Sequence, residues 1–324
     1  MRERTVATSG EQLSIACDPA WVEDLVDEAL VGATSSSAGP PTVSVQVESS
    51  RSAFDVTAWE PLTRGAWARG GNVVIEDVCS SGFDLGLRGD IDRMEFVLRW
   101  RPRLRGHAAA TLLRTRFILL ARAVLIQYPV LWRATIRGRA PLHAVVCTSG
   151  RATPMLAGPG GVGKSTLLNL ELAAGGSAIS DNVCVSDGTT AWGLVEPLRV
   201  EGGSGRPVTH GRREGEIKRR VDSLAPDLLV ALHRDNSEDA TVRSCDGATA
   251  ARSLIAGTYM AGELRRFWGF AATLAAGTGL GPAHPPVESI AAALASHLPA
   301  LEIVLPRHPG VRLADLLNRA EVTA

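Results

Sequence analysis

Ala157–Leu168 reads AGPGGVGKSTLL, a glycine-rich turn running into Lys-Ser-Thr and then an apolar helical pattern. Gly158, Gly163, Lys164 and Ser165 fit G-x-x-x-x-G-K-[ST]. Successive backbone N–H groups carrying little side-chain bulk, as at Gly160 and Gly161, curl into a concavity that holds phosphate oxygens. The helix that follows aims its positive end at the same place. Lys164 is spaced to reach the terminal phosphates and Ser165 to ligate Mg²⁺. The apolar run TPMLA before the loop predicts a strand, and STLLNLELAA after it predicts a helix over Lys164–Ala174.

Outward from the loop, Ala140–Ala324 alternates short apolar runs with helical patterns, the texture of an α/β domain. PLHAVVCT and ATPMLAG predict strands joined by a turn, SAISDNVCVSD a strand pair, and DLLVALHRD a buried strand. GELRRFWGFAATLAAG, PVESIAAALASHL and VRLADLLNRA predict helices around a last strand, LEIVLPR. Residues 42–139 form a β-rich region plus a helix, with strands expected in TVSVQVESS, AFDVTAW, GNVVIEDV and FVLRWRP. Residues 1–41 are weakly patterned and end in GATSSSAGPP, a loop or linker composition. The chain therefore divides into a segment 1–41, a domain 42–139 and a domain 140–324.

Lys plus Arg and Asp plus Glu both number 34, so net charge points to neither a nucleic acid nor a membrane partner. Lysine occurs only at Lys164 and Lys218, which singles out the loop lysine in an arginine-rich chain. Five scattered cysteines without a CxxC pair speak against a zinc site or a disulfide framework, and for reduced thiols in a cytoplasmic protein. Met1–Trp21 has no continuous apolar core of the kind a signal peptide carries. Ala108–Trp132 is the most apolar helical stretch, but Arg114, Arg116 and Arg122 interrupt it and Pro129 is expected to end it. It reads as a buried amphipathic helix rather than a membrane span.

The loop does not name a reaction. The chain holds no N/TKxD guanine signature and no LSGGQ-like segment. His233–Asn236, HRDN, matches part of a kinase catalytic loop without V-A-I-K or D-F-G, and reads as the polar end of a strand. Two neighbours could supply chemistry. His143 lies fifteen residues before Gly158, and Asp181 sixteen after Ser165. Phosphoryl transfer needs a base near the attacking hydroxyl and cations at the transferred phosphate. Asp181 suits the first role, and His143 could orient the hydroxyl or meet the developing charge. A core histidine and a Ser-Asp-Asn turn are the plain alternatives.

Together, LHAVV…GRATPMLAGPGGVGKSTLLNLELAAGGSAISDNVCV resembles the HPr kinase/phosphorylase superfamily, in particular the HPr kinase-like serine kinases that tailor lasso and related peptides. The resemblance is strongest over residues 140–200, with EPLRV and VVIEDVCSSGFDL looser echoes. It implies an α/β P-loop core of the HPr kinase/phosphoenolpyruvate carboxykinase type, behind a β-rich N-terminal region. It implies transfer of the ATP γ-phosphate to a serine of a peptide or protein, with Mg²⁺. Gly158, Gly160, Gly161, Val162, Gly163, Lys164, Ser165 and Thr166 would bind the nucleotide, and Ser165 the metal. Asp181 would be the base, His143 the active-site histidine, and Lys164 a catalytic cation. Asn182 stands where the family usually has a second Asp. AWGLVEPLRV matches the family's glycine-containing signature only faintly, so HPr itself is not the expected substrate.

Glu196 is a candidate metal-facing carboxylate and Arg199 a candidate phosphate-facing cation, with a surface loop as the alternative for both. THGRREGEIKRRVDSLAPD carries Arg212, Arg213, Lys218, Arg219 and Arg220, suited to phosphate or an acidic peptide, or else to a solvated helix face. An ATPase or nucleotide-dependent switch and a catalytically weakened nucleotide-binding module both stay open, as does homo-oligomer assembly.

Overall fold

The computed structural model describes residues 2–33, 39–201, 205–208, 211–307 and 310–323. Part of the Ser35–Pro41 tract, and Thr209 and His210 of the basic segment, lie outside them. The chain is mixed α/β with several sheets, in two compact units: 1–138 with 266–285, and 139–265 with 286–324.

The first unit is built on one eight-stranded sheet. Its strands are β1 (Glu3–Thr8), β2 (Glu11–Cys17), β3 (Val43–Glu48), β4 (Glu60–Thr63), β5 (Ala66–Arg69), β6 (Asn72–Ile75), β7 (Phe83–Gly89) and β8 (Met94–Trp100). The order is β1-β2-β3-β8-β7-β6-β5-β4, with β2, β3 and β8 parallel and the remaining pairs antiparallel. Residues 1–41, read as weakly patterned, instead supply two strands and the helix Ala20–Ala29. The apolar spacing was there: Leu13, Ile15 and Cys17 alternate and are buried, and Val22, Leu25, Val26 and Ala29 form one helical face. AFDVTAW is a loop and not a strand; its Phe54 packs beside Gly86 and under the Arg99 guanidinium.

The apolar helix runs unbroken over Arg114–Ile136, long and apolar enough to cross a membrane but mostly buried. Pro129 does not end it. A π-helical turn over Ala123–Gln127 absorbs the hydrogen bond a proline cannot make, and Pro129 falls in the first turn of the segment Tyr128–Ile136. Of its arginines, Arg114 and Arg116 are exposed, while Arg122 and Arg133 are buried: Arg122 lies 3.2 Å from Glu28, and Arg133 3.9 Å from the fully buried Glu11. The helix Arg265–Thr278, expected in the second domain, belongs to this unit from Arg266 onward, where Phe267 and Phe270 pack on Tyr128.

The second unit holds β9 (Ala140–Leu142), β10 (Ala144–Val146), β11 (Pro154–Ala157), β12 (Cys184–Ser186), β13 (Ala191–Gly193), β14 (Leu198–Glu201), β15 (Arg212–Gly215), β16 (Ser223–Leu224), β17 (Leu228–Arg234), β18 (Thr241–Ser244) and β19 (Ala300–Leu305). β11, β17 and β19 are parallel and central in a sheet ordered β10-β11-β17-β19-β18, whose edge strands run antiparallel. Leu229–Leu232 of β17 are all buried, as a central parallel strand requires. A second sheet, β16-β13-β12-β9, is antiparallel, and β14 and β15 form a separate hairpin. The core joins Leu156, Leu167, Leu168, Val230, Ile303 and Leu316. Buried Glu171 ties the last helix, Leu313–Thr323, to the helix Lys164–Ala173 by accepting from Ala314 N–H and pairing with Arg312 at 3.2 Å.

PLHAVVCT is not one strand. It divides at His143 into β9 and β10, which enter different sheets. The basic segment is not a helix either: Arg212 and Arg213 lie on β15 of the hairpin.

Candidate functional site

The glycine loop leaves the carboxyl end of β11 and delivers the chain to the helix Lys164–Ala173. In parallel α/β sheets, ligands gather at this end of the strands. Gly158 has φ +148° and Gly163 φ +122°. A Cβ at Gly158 would lie 2.7 Å from the Leu232 carbonyl oxygen on β17, so this position needs glycine for both space and backbone conformation. Gly158→Ala is expected to cost the second unit about 1–3 kcal/mol, the range for a strained backbone position, read as a lower thermal midpoint. Around Gly160 and Gly161 there is open space. The loop is therefore tight where it meets the sheet and open where it meets the cavity.

That cavity, about 350 Å³, is lined by His143, Gly160, Gly161, Gly163, Lys164, Ser165, Thr166, Asp181, Asn182, Arg199, Arg212 and Glu263. The fold thus brings His143, the glycine loop and Asp181 together. Gly158 touches the site through its carbonyl, which accepts from Lys164 Nζ at 2.7 Å; Pro159 O accepts from the same ammonium at 3.2 Å. Val162 is buried in the core below the loop. Lys164 is only 5 % exposed, and burial pulls its ammonium down to about 8 against the opposing attraction of Glu263 and Asp181.

Asp181 is 1 % exposed. Its Oδ2 accepts the backbone N–H of Arg199 at 2.9 Å, and its Oδ1 has no hydrogen-bond partner. Burial pushes the carboxyl above the usual carboxylate range, against the opposing pull of the neighbouring Ser165 hydroxyl and the Arg199 N–H. A buried carboxylate oxygen without a partner is costly, so a ligand group that donates to it gains more than it would at a hydrated one.

Behind Asp181 lies a charge relay of fixed groups. Arg199 Nη1 donates to Glu263 at 2.7 Å, and its Nη2 lies 3.6 Å from Glu196. Glu196 is buried, takes the Val183 N–H at 3.2 Å, and does not line the cavity. It serves the wall behind the site, where burial pushes it up to about 7 against Arg199. Burial would also raise Glu263, but Arg199 overrides it and holds that carboxyl down to about 2. Arg213, Lys218, Arg219 and Arg220 lie outside the cavity; of the basic segment, Arg212 alone among the described residues lines it.

Glu263, Gly257 and Thr258 were not foreseen. They lie at or just beyond the end of the helix Gly247–Tyr259, which lines the back of the loop so closely that a Cβ at Gly257 would meet the Gly158 oxygen at 2.8 Å. Its signals are legible in retrospect: Asp246 caps it by accepting from Thr249 N–H, and Ala250, Ala251, Leu254, Gly257 and Thr258 form one buried face.

Comparison of the sequence with protein-family models and with curated proteins returns no match.

Proposed function

We propose that the chain is an ATP-dependent kinase of the HPr kinase-like type, acting in the cytoplasm, that transfers the γ-phosphate to a serine hydroxyl of a peptide or protein. The observation that carries this reading is Asp181, a buried carboxyl whose Oδ1 has no hydrogen-bond partner, lining the same cavity as Lys164, Ser165 and the loop. A nucleotide switch needs the phosphate cradle; a buried carboxylate facing it supplies what a phosphotransferase needs besides.

The parts divide the work as follows. The N–H groups of the loop and the start of the helix Lys164–Ala173 hold the phosphates. Lys164 exchanges the Gly158 and Pro159 carbonyls for phosphate oxygens. Asp181 accepts the hydroxyl proton, a task favoured by the burial that strengthens it as a base. Arg212 meets charge on the transferred group from the hairpin side. Ser165 would hold Mg²⁺, which supplies charge neutralisation on the phosphates when bound. Among the described residues no three His, Cys, Asp or Glu side chains gather as a metal site. That suits a cation held mainly by nucleotide phosphates and water, the usual manner of Mg²⁺.

Incubation with Mg-ATP and serine-bearing peptides should give a product heavier by one phosphate group in the mass spectrum. Lys164→Ala should lose that product together with nucleotide affinity, while its circular dichroism stays that of the parent. Phosphate release with no phosphorylated peptide from any candidate would favour an ATPase instead.

A further inference from the structure

His143 sits at the break between β9 and β10 with its backbone N–H and both ring nitrogens engaged. Its backbone N–H donates to Thr258 Oγ1 at 3.1 Å. Nδ1 lies 3.0 Å from the Gly257 carbonyl oxygen, and Nε2 2.9 Å from the Asn182 side-chain amide. A carbonyl only accepts, so Nδ1 carries a proton. The state of Nε2 then decides what this histidine is. If Nε2 is also protonated, it donates to Asn182 Oδ1, and Asn182 Nδ2 stays buried without a partner. The ring would also carry a full positive charge with Lys164 Nζ 3.5 Å from Nδ1. If Nε2 keeps its lone pair, a half-turn of the amide lets Nδ2 donate to it. The oxygen and nitrogen of an amide have the same shape, so that turn disturbs no packing. It gives Nδ2 an acceptor, puts Oδ1 where Nδ2 had no partner, and so leaves the hydrogen-bond count even while leaving one cation instead of two.

The charges facing the ring decide in the same direction. Lys164 opposes a proton on His143; Glu263 favours one, but its charge is committed to Arg199 at 2.7 Å. Burial, with Lys164 beside it, holds the imidazole down to about 4.

We propose that Asn182 donates to His143 Nε2 and, with the Gly257 carbonyl, locks the ring as a neutral Nδ1–H imidazole that adds no second charge beside Lys164 and carries no substrate proton. Both ring nitrogens are occupied, so the ring has none free to exchange. On the kinase reading above, which this role rests on, Asp181 is then the proton acceptor alone. The protonation state itself does not depend on that reading.

The test is a two-bond ¹H–¹⁵N correlation spectrum of the full chain, with the His143 signals identified by their loss in His143→Asn. The wild-type ring should show the neutral Nδ1–H pattern from about pH 5.5 to about pH 8, where a free histidine would titrate. Asn182→Asp presents Nε2 with a carboxylate, and should move the His143 midpoint from below that window to above about 6.5. Mg-ADP affinity, measured by calorimetry, should then change with pH in the variant more than in the parent. A wild-type imidazolium or Nε2–H tautomer at about pH 6.5 overturns the proposal, even if Asn182→Asp does not fold. Absence of Mg-ADP binding by the parent overturns the nucleotide reading instead, and leaves the spectrum to decide His143.

Discussion

Asp181→Asn is expected to lower phosphoryl transfer to a serine peptide by about 10²–10⁴-fold, the usual contribution of a positioned general base, with Mg-ADP affinity changed by no more than a few-fold. Asparagine keeps the shape and can still accept the Arg199 N–H that Oδ2 accepts at 2.9 Å. It loses the capacity to take a proton at Oδ1, the buried atom that has no hydrogen-bond partner. The fold should not suffer, because the substitution removes a buried charge whose burial already disfavours ionisation. Rate and binding therefore separate, which a general disturbance of the site would not allow. A stopped assay with mass-spectrometric detection of phosphopeptide gives the rate, and calorimetry the affinity. An unchanged rate would remove Asp181 as the base. Loss of peptide phosphorylation with phosphate release intact would assign it to the acceptor step, with water still able to attack.

The glycine loop, its strand and its helix are legible in the sequence because each is a local pattern. Spacing fixes Gly158, Gly163 and Lys164, and an apolar run on either side fixes the elements. The approach of His143 and Asp181 to Lys164 is less local, since it depends on β9 and β12 pairing in the second sheet. PLHAVVCT reads as one apolar strand because the chain direction barely records that its two halves join different sheets; only the polar ring at His143 marks the division. Glu263 carries no local signal at all. It reaches Arg199 from 64 residues away, and only the packing of the helix Gly247–Tyr259 on the glycine loop puts it there. The strands of residues 1–41 were missed for a different reason: their alternation is short and the flanking Ser-Gly-Pro composition outweighs it.

Arg199→Met is expected to destabilise the second unit by about 3 kcal/mol near pH 8, the lower end of the cost of removing one partner from a buried ion pair, and by less near pH 5.5. Arg199 stands between Glu196 at 3.6 Å and Glu263 at 2.7 Å. Methionine fills much of the volume and leaves the backbone N–H to Asp181 in place, so the carboxylates decide the outcome. Glu196 already has a carboxyl raised by burial to about 7. Its folded form holds a proton more tightly than the unfolded chain, whose carboxyl titrates near 4.5. Its contribution to stability is thus present below about 4.5 and lost as pH rises through about 7. Without Arg199 the folded value rises further, so the loss deepens and extends to higher pH. Glu263 has the opposite sign: Arg199 holds it down to about 2, so the pair contributes above the unfolded value and is lost in acid. Removing Arg199 deletes that contribution across the neutral range, a smaller and nearly constant penalty because Glu263 is a third exposed. The sum is a deficit that grows with pH. Hydrogen exchange of β12 and β13 reads it locally, apart from the first unit. The double variant Arg199→Met with Glu196→Gln supplies the control. A neutral amide at position 196 removes the ionisation, so the growth with pH should flatten while the constant part stays. A deficit of Arg199→Met that is equal at both pH values would mean that Glu196 is not the group whose charge Arg199 compensates.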